Sequence, residues 1–217
     1  MKLYGYYQSS NVYRARVALN LKGIVYEDII VNVLKGDTRT AEYLTLNPQA
    51  KIPALQDGDV IVTQSLAIIE YLEEKFSSPP LLPDDPVGRG RVRSISMGIV
   101  GDTFPLLPSR IRNELAKELQ QDEAGVHRWC HDWVCRGLET LEASLKYDPA
   151  TGTYCHGDIL GMADICLASI IQVSRRYECD LAQYPTVTAI YDRCADMPAF
   201  EKALAQNQMD APPSFKG

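Results

Sequence analysis

No apolar run in this 217-residue chain approaches the ~20 residues needed to cross a bilayer, which argues against a membrane-spanning helix. Positive charge is also in short supply. With 22 Lys and Arg against 28 Asp and Glu the formal net charge is −6, and no basic run or aromatic-basic stripe offsets it, which argues against a nucleic-acid surface. CxxC pairs and regular cysteine spacing are absent. Cys130, Cys135, Cys155, Cys166, Cys179 and Cys194 all lie in the C-terminal half, a distribution that suits reduced thiols inside helices better than a disulfide framework. The N-terminus lacks the basic-then-apolar layout of a signal peptide, and with the thiols this predicts a cytoplasmic protein. There are no internal repeats. What the chain has is 46% hydrophobic residues, enough for one large core or two small ones.

The most informative segment lies at the front. The β-prone run Leu3 to Tyr7 stops at Gln8-Ser9-Ser10-Asn11, and a helical pattern starts immediately behind it, with Val12, Ala15, Leu19 and Lys22 at three- and four-residue spacings before Gly23. A strand–turn–helix of this kind aims hydroxyls and unpaired N–H groups at one point, and the helix dipole adds positive potential there. Ser9 and Ser10 can serve as plain helix caps, or they can hold an anion such as a thiolate.

Residues 1 to about 76 alternate strand and helix signals. Ile24 to Val33 is apolar and β-branched, and Thr40 to Leu46 is a short helical stretch stopped by Asn47-Pro48. Residues 52–56 and 60–63 flank Asp57-Gly58-Asp59, a hairpin signal, and Gln64-Ser65 opens a helix from Leu66 to Phe76 with Ser65 as its N-cap. The order βαβαββα is a thioredoxin-like layout. Four prolines between Ser77 and Pro86 read as a linker, and beyond it every strong pattern is helical: 87–121 disturbed by Pro105 and Pro108, then 123–146, 163–177, 186–194 and 199–206. The sequence therefore predicts an α/β plus all-α protein, with a thioredoxin-like domain over 1–80 and an all-helical domain over 87–217. The last eight or so residues are expected to be disordered.

A thioredoxin-like half, a proline linker and a helical half together resemble the cytosolic glutathione transferases, over nearly the full chain. Asn47-Pro-Gln-Ala-Lys51-Ile52-Pro53-Ala-Leu is similar to the family segment whose cis-proline precedes the third strand, and Gln64-Ser65-Leu-Ala-Ile-Ile-Glu matches the next binding element. The resemblance implies that Lys51, Ile52, Pro53, Gln64 and Ser65 bind glutathione, with Ile52 pairing to its cysteinyl backbone and Ser65 holding its γ-glutamyl carboxylate.

Within that family, Ser9-Ser10-Asn11-Val-Tyr-Arg14-Ala-Arg16-Val-Ala-Leu resembles the zeta class, which includes maleylacetoacetate and maleylpyruvate isomerases. Later strings agree: Ser174-Arg175-Arg176-Tyr177, then Asp180-Leu-x-x-Tyr-Pro185, and Gly157-Asp158 with Met162-Ala-Asp164-Ile, where Gly161 replaces the usual capping Ser or Thr. The resemblance implies a homodimer that uses glutathione to turn the cis double bond of an unsaturated oxo-diacid to trans, in the breakdown of aromatic compounds. Ser9, Ser10 and Asn11 are the implied catalytic set, with Ser9 donating to the sulfur. Gln8, Arg110 and Arg176 are the implied substrate contacts, the arginines because a planar fork grips carboxylate. Arg14 and Arg16 read as structural. Three departures mark the second-substrate site as altered: Gln8 stands for the class arginine, Asn11 for its cysteine, and Phe104, Leu107 and Pro108 make one wall more apolar. They keep a second activity open, conjugation or dehalogenation of a less acidic electrophile.

His127, His131 and Cys135 recur every four residues and would line one helical face with metal-ligand chemistry. No HExxH glutamate accompanies them, and the same step describes an ordinary helix surface. No metal is expected.

Overall fold

Leu3, with no exposed surface, lies in the inner layer of the N-terminal unit, and Gly5 beside it sets how near the first helix can come. A Cβ on Gly5 would meet Cγ1 of Val12 at 2.5 Å, so only glycine lets α1 (Ser10–Leu21) settle onto β1 (Lys2–Gly5). In this computed structural model, which describes residues 1–215, the unit continues through β2 (Glu27–Ile30), α2 (Ala41–Leu46), β3 (Ala54–Asp57), β4 (Val60–Thr63) and α3 (Ser65–Lys75). The strand order is β2-β1-β3-β4, with β1 and β2 parallel and β3 antiparallel to both its neighbours. This is the expected βαβαββα order. Of the long apolar run from Ile24 only four residues pair as β2, because they alone lie alongside β1.

α1 and α3 cover one face of the sheet with Val12, Ala15, Leu19, Ile68, Ile69 and Leu72, all fully buried. Lys22 at the end of α1 ties the layer to the linker. Its Nζ meets Glu73 at 2.8 Å and donates to the carbonyls of Phe76 and Pro79 at 2.6 and 2.8 Å. The linker contains a cis bond at Ser78–Pro79 that the sequence reading does not anticipate.

The helical unit spans Leu82–Cys194. α4 (Pro86–Met97) starts as helices with proline at the first position do, capped by Asp85, which accepts from the Gly88 N–H at 2.8 Å. Pro105 and Pro108 then break the expected long helix into a π-helical stretch (Gly98–Thr103), a 3₁₀ turn (Phe104–Leu106) and α5 (Ser109–Lys117). α6 (Glu123–Lys146) is capped by Asp122. α7 (Met162–Arg176) runs through the core with most of its residues buried, and α8 (Pro185–Ala195) follows. Buried Glu142 on α6 accepts from the Thr186 and Val187 N–H groups at 3.2 and 3.0 Å, satisfying donors at the start of α8.

The start of α7 is held by Asp164, which is 1% exposed and accepts from the Cys155 and Gly161 N–H groups, both at 2.8 Å. Gly161 supplies no side-chain cap, so Asp164 carries that terminus alone.

Residues 195–215 cluster with the N-terminal unit, whereas the sequence pattern assigns them to the helical domain. α9 (Pro198–Glu201) packs on α1, where Asn20 Nδ2 donates to the Ala199 carbonyl at 3.0 Å. Asp210 accepts from the Tyr7 N–H at 2.9 Å, and Phe215 meets the Tyr7 ring edge-on at 5.2 Å. The expected disorder of the tail is thus wrong for 210–215, which this strand end holds in place; the remaining two residues of that expectation, 216 and 217, lie outside the described residues.

Candidate active site

Three loops of the N-terminal unit build one candidate site. At the first, Ser9 is the N-cap of α1, and its Oγ accepts from the Val12 N–H at 3.3 Å. Only an acceptor lone pair is used, so the hydroxyl proton stays available. Ser10 begins the helix and Asn11 is exposed. Asn11 is engaged elsewhere, because its Oδ1 accepts from Arg14 Nη2.

The second loop carries Lys51, Ile52 and Pro53. Tyr43 Oη and Asn47 Nδ2 each donate to the Lys51 carbonyl at 2.7 Å, which pins the backbone just before the cis Ile52–Pro53 bond. The expected cis-proline is present. Ile52 precedes β3, and its N–H and C=O take no backbone partner among the described residues.

The third loop corrects one expectation. Ser65 is the first residue of α3, and the N-cap is Gln64, at φ 71° and ψ 127°. A non-glycine residue there carries strain of about 1–3 kcal/mol, the kind that persists at ligand clamps. Gln64 Nε2 donates to Gln49 Oε1 at 2.7 Å, joining the second loop to the third. Ser65 is buried, and its Oγ accepts from Arg14 Nε at 3.1 Å. As at Ser9, a protein donor fills a lone pair and leaves the O–H to donate outward. Arg14, with no exposed surface, therefore connects the first loop to the third through Asn11 and Ser65. Arg16 is structural in a different way, forked onto Asp28 at 3.0 and 3.1 Å.

The remaining residues fall in both units. Gln8, half-buried, ends the strand side of the first loop. Arg110 is exposed on α5, and Arg176 is exposed at the end of α7, while Arg175 beside it stacks on the Tyr191 ring at 4.9 Å. A residue missed in the sequence is Arg112. Burial pushes the Tyr177 phenol up, a hydrogen bond and charge interaction with Cys130 add to this, and the charges of Arg112 and Arg176 oppose it, so both arginines act on one buried residue. Arg112 Nη2 bonds Ser109 Oγ at 3.1 Å, and its buried Nε has no partner among the described residues. Two residues along a helix turn the side chain by about 200°, so Arg110 and Arg112 face opposite ways, and the sequence alone could not choose between them. The apolar wall is held by Trp129, whose Nε1 donates to the Leu106 carbonyl at 2.9 Å, with Leu107 buried and Phe104 half-buried.

The N-terminal glutathione S-transferase domain model matches residues 3–80, and the C-terminal domain model matches 132–198. The chain belongs to the glutathione S-transferase family. It is 39% identical to maleylpyruvate isomerase of Ralstonia sp over 211 residues, covering 97% of this chain and all of that one. It also matches a holo maleylpyruvate isomerase structure described as a zeta-class bacterial transferase, with TM-score 0.94 and 39% identity over 98% of this chain and 100% of the other. A maleylacetoacetate isomerase of Anaeromyxobacter dehalogenans, solved with bound dicarboxyethyl glutathione and citrate, matches with TM-score 0.86 and 31% identity over 100% and 96% of the two chains. The three loops described above present an open backbone edge at Ile52 and hydroxyl protons at Ser65 and Ser9 that take no acceptor among the described residues.

Proposed function

We propose that this transferase is a glutathione-dependent cis–trans isomerase of an unsaturated oxo-dicarboxylic acid of the maleylpyruvate or maleylacetoacetate type. The observation that carries the reading is the Ser9 hydroxyl, placed at the N-terminus of α1 with its lone pair satisfied by Val12 and its proton free to donate. Bound glutathione supplies a thiolate that adds to the conjugated double bond and leaves again after rotation. The rest is the protein's work. Ser9 stabilises the charged sulfur with its O–H, assisted by the α1 dipole and the N–H groups of the first turn. Ile52 holds the peptide of glutathione by its open backbone edge, as an added strand is held. Ser65 donates to the γ-glutamyl carboxylate while Arg14 fixes the direction of its oxygen. Arg176 and Arg112 bind the substrate carboxylates. The Anaeromyxobacter relative's bound dicarboxyethyl glutathione joins the same cofactor to a diacid, which supports this substrate class.

The test is turnover of maleylpyruvate and of maleylacetoacetate by the purified protein, with and without glutathione. Arg176→Ala is expected to raise KM for the diacid about 10- to 100-fold, the worth of one charge-assisted bond, with neutral electrophiles reacting as before. Equal losses on charged and neutral substrates would make Arg176 structural. Ser65→Ala is expected to weaken glutathione by the same factor in calorimetry, and an unchanged affinity would leave Ser65 as a partner of Arg14 only. A second reading is favoured by Gln8 and the apolar wall of Phe104 and Leu107: conjugation or dehalogenation of a less acidic electrophile. Higher kcat/KM on such compounds than on either diacid would select it. A homodimer is part of the proposal on the strength of the zeta-class resemblance. A cytoplasmic location is too, supported by six free cysteines.

A further inference from the structure

On the helical unit, beside Tyr177 but using none of the residues given binding roles above, three soft ligand atoms meet. His131 and Cys135 lie one turn apart on α6, and Cys179 comes from the segment just after α7. The Cys135 and Cys179 sulfurs are 3.0 Å apart, Cys135 Sγ is 3.6 Å from His131 Nε2, and all three ligand atoms lie within 4.8 Å of one another. The sequence pattern places His127 with this group, but the structure does not: His127 turns its ring edge-on to Tyr177 and faces Glu178 at 4.0 Å. Cys179, 44 residues along the chain from Cys135, takes its place.

The histidine is oriented as a ligand. Its Nδ1 lies 2.8 Å from the Tyr177 carbonyl, which can only accept, so Nδ1–H donates there and Nε2 is the nitrogen turned to the thiols. Metal-bound histidines are fixed by the same kind of bond from the other ring nitrogen. The Cys135–His131 distance also fits. Zinc bonds of about 2.3 Å to sulfur and 2.0–2.1 Å to nitrogen give a tetrahedral S···N edge of ~3.5–3.6 Å. The S···S edge of such a site is ~3.8 Å, so the two sulfurs must part by roughly 1 Å or somewhat less on binding. The group opens onto a cleft of about 540 Å³ lined also by Asp132, Glu139, Glu178 and Asp180. Arg136 lines the cleft as well, but its guanidinium stacks on Trp133 at 5.1 Å. Four carboxylates against one arginine favour a cation.

We propose that His131, Cys135 and Cys179 form a three-ligand site for a thiophilic divalent cation, zinc(II), whose fourth position is open to this cleft. Two thiolates and an imidazole select zinc over magnesium or calcium, which prefer oxygen. Each thiol releases its proton on binding, and the cation then cross-links α6 to the segment after α7.

The experiment uses the full-length protein, chelator-stripped and kept reduced with a phosphine. Cobalt(II), the spectroscopic probe for such zinc sites, should bind at one equivalent per chain with a thiolate charge-transfer band, which zinc(II) then bleaches. Cys135→Ser and Cys179→Ser should each cut the band by about half and weaken zinc roughly 100-fold or more, and His131→Gln should keep the band while weakening zinc about 10- to 100-fold. Circular dichroism checks that each variant is folded, and a zinc-dependent rise in Tm in the parent but in none of the three gives an independent reading. Absence of the band in the reduced parent overturns the proposal, as does zinc binding that survives all three substitutions. So does a Cys135–Cys179 pair that oxidises to a disulfide in air yet takes no metal when reduced.

Discussion

Replacing Ser9 with alanine is expected to slow turnover roughly 10- to 100-fold, the cost of removing one donor to a charged sulfur. The Ser9 Oγ accepts from Val12, so its own proton is what the sulfur gains, and alanine removes that proton while leaving the α1 N–H groups in place. The thiol of bound glutathione should then have a raised pKa, by ~1–2 units if the lost bond is worth ~1.5–3 kcal/mol. The sign is fixed: less stabilisation of the charged form moves the acid limb of the pH–rate profile upward. Affinity for glutathione should change little, because Ile52 and Ser65 hold the rest of the molecule. Ultraviolet thiolate absorbance against pH, together with kcat, checks both halves. An unchanged pKa and rate would reduce Ser9 to a helix cap and move activation to Ser10, since Asn11 is held by Arg14.

Asp164→Ala is expected to cause the largest loss of stability. Both carboxylate oxygens accept from N–H groups, and alanine would leave the Cys155 and Gly161 donors without partners at the start of the central helix. At ~1–3 kcal/mol for each of the two stranded groups the cost is about 2–6 kcal/mol, or a fall in Tm of roughly 4–24 °C. Burial raises the Asp164 pKa, and the donors from Cys155 and Gly161 work against it, so the hydrogen bonds rather than the charge are what the site supplies. Asp164→Asn keeps one acceptor and should lose about half as much. Thermal melts of the two variants beside the parent measure the ratio, and equal losses would mean that the charge matters after all.

The elements that a reader of the chain can place are those whose cause is local. The β1–α1 turn follows from a β-prone run meeting two serines, and the hairpin follows from Asp57-Gly58-Asp59, with Gly58 at φ 61° as such a turn requires. The breaks in the helix after residue 97 follow from two prolines. What the chain conceals depends on distant partners. Gln64 rather than Ser65 caps α3 because the backbone there adopts a positive φ that glutamine does not advertise. Arg112 is picked out only by its nearness to Tyr177, far along the sequence. Cys179 joins a histidine and cysteine on another helix, and no spacing rule links them. In the candidate site the residue types were legible, but not the division of labour that occupies the oxygens of Ser9 and Ser65 and sets their protons free.

The return of the chain's end to Tyr7 has a consequence for biosynthesis. The first eighty or so residues leave the ribosome with a sheet and three helices already encoded, yet α9, Asp210 and Phe215 have not been made. A chain elongating at ~5–20 residues per second holds that unfinished surface open while the whole helical unit is synthesised. The strand end two residues before Ser9 is therefore completed only after the intervening helical unit has been made, so the segment that carries the Ser9 hydroxyl matures later than the sheet it extends.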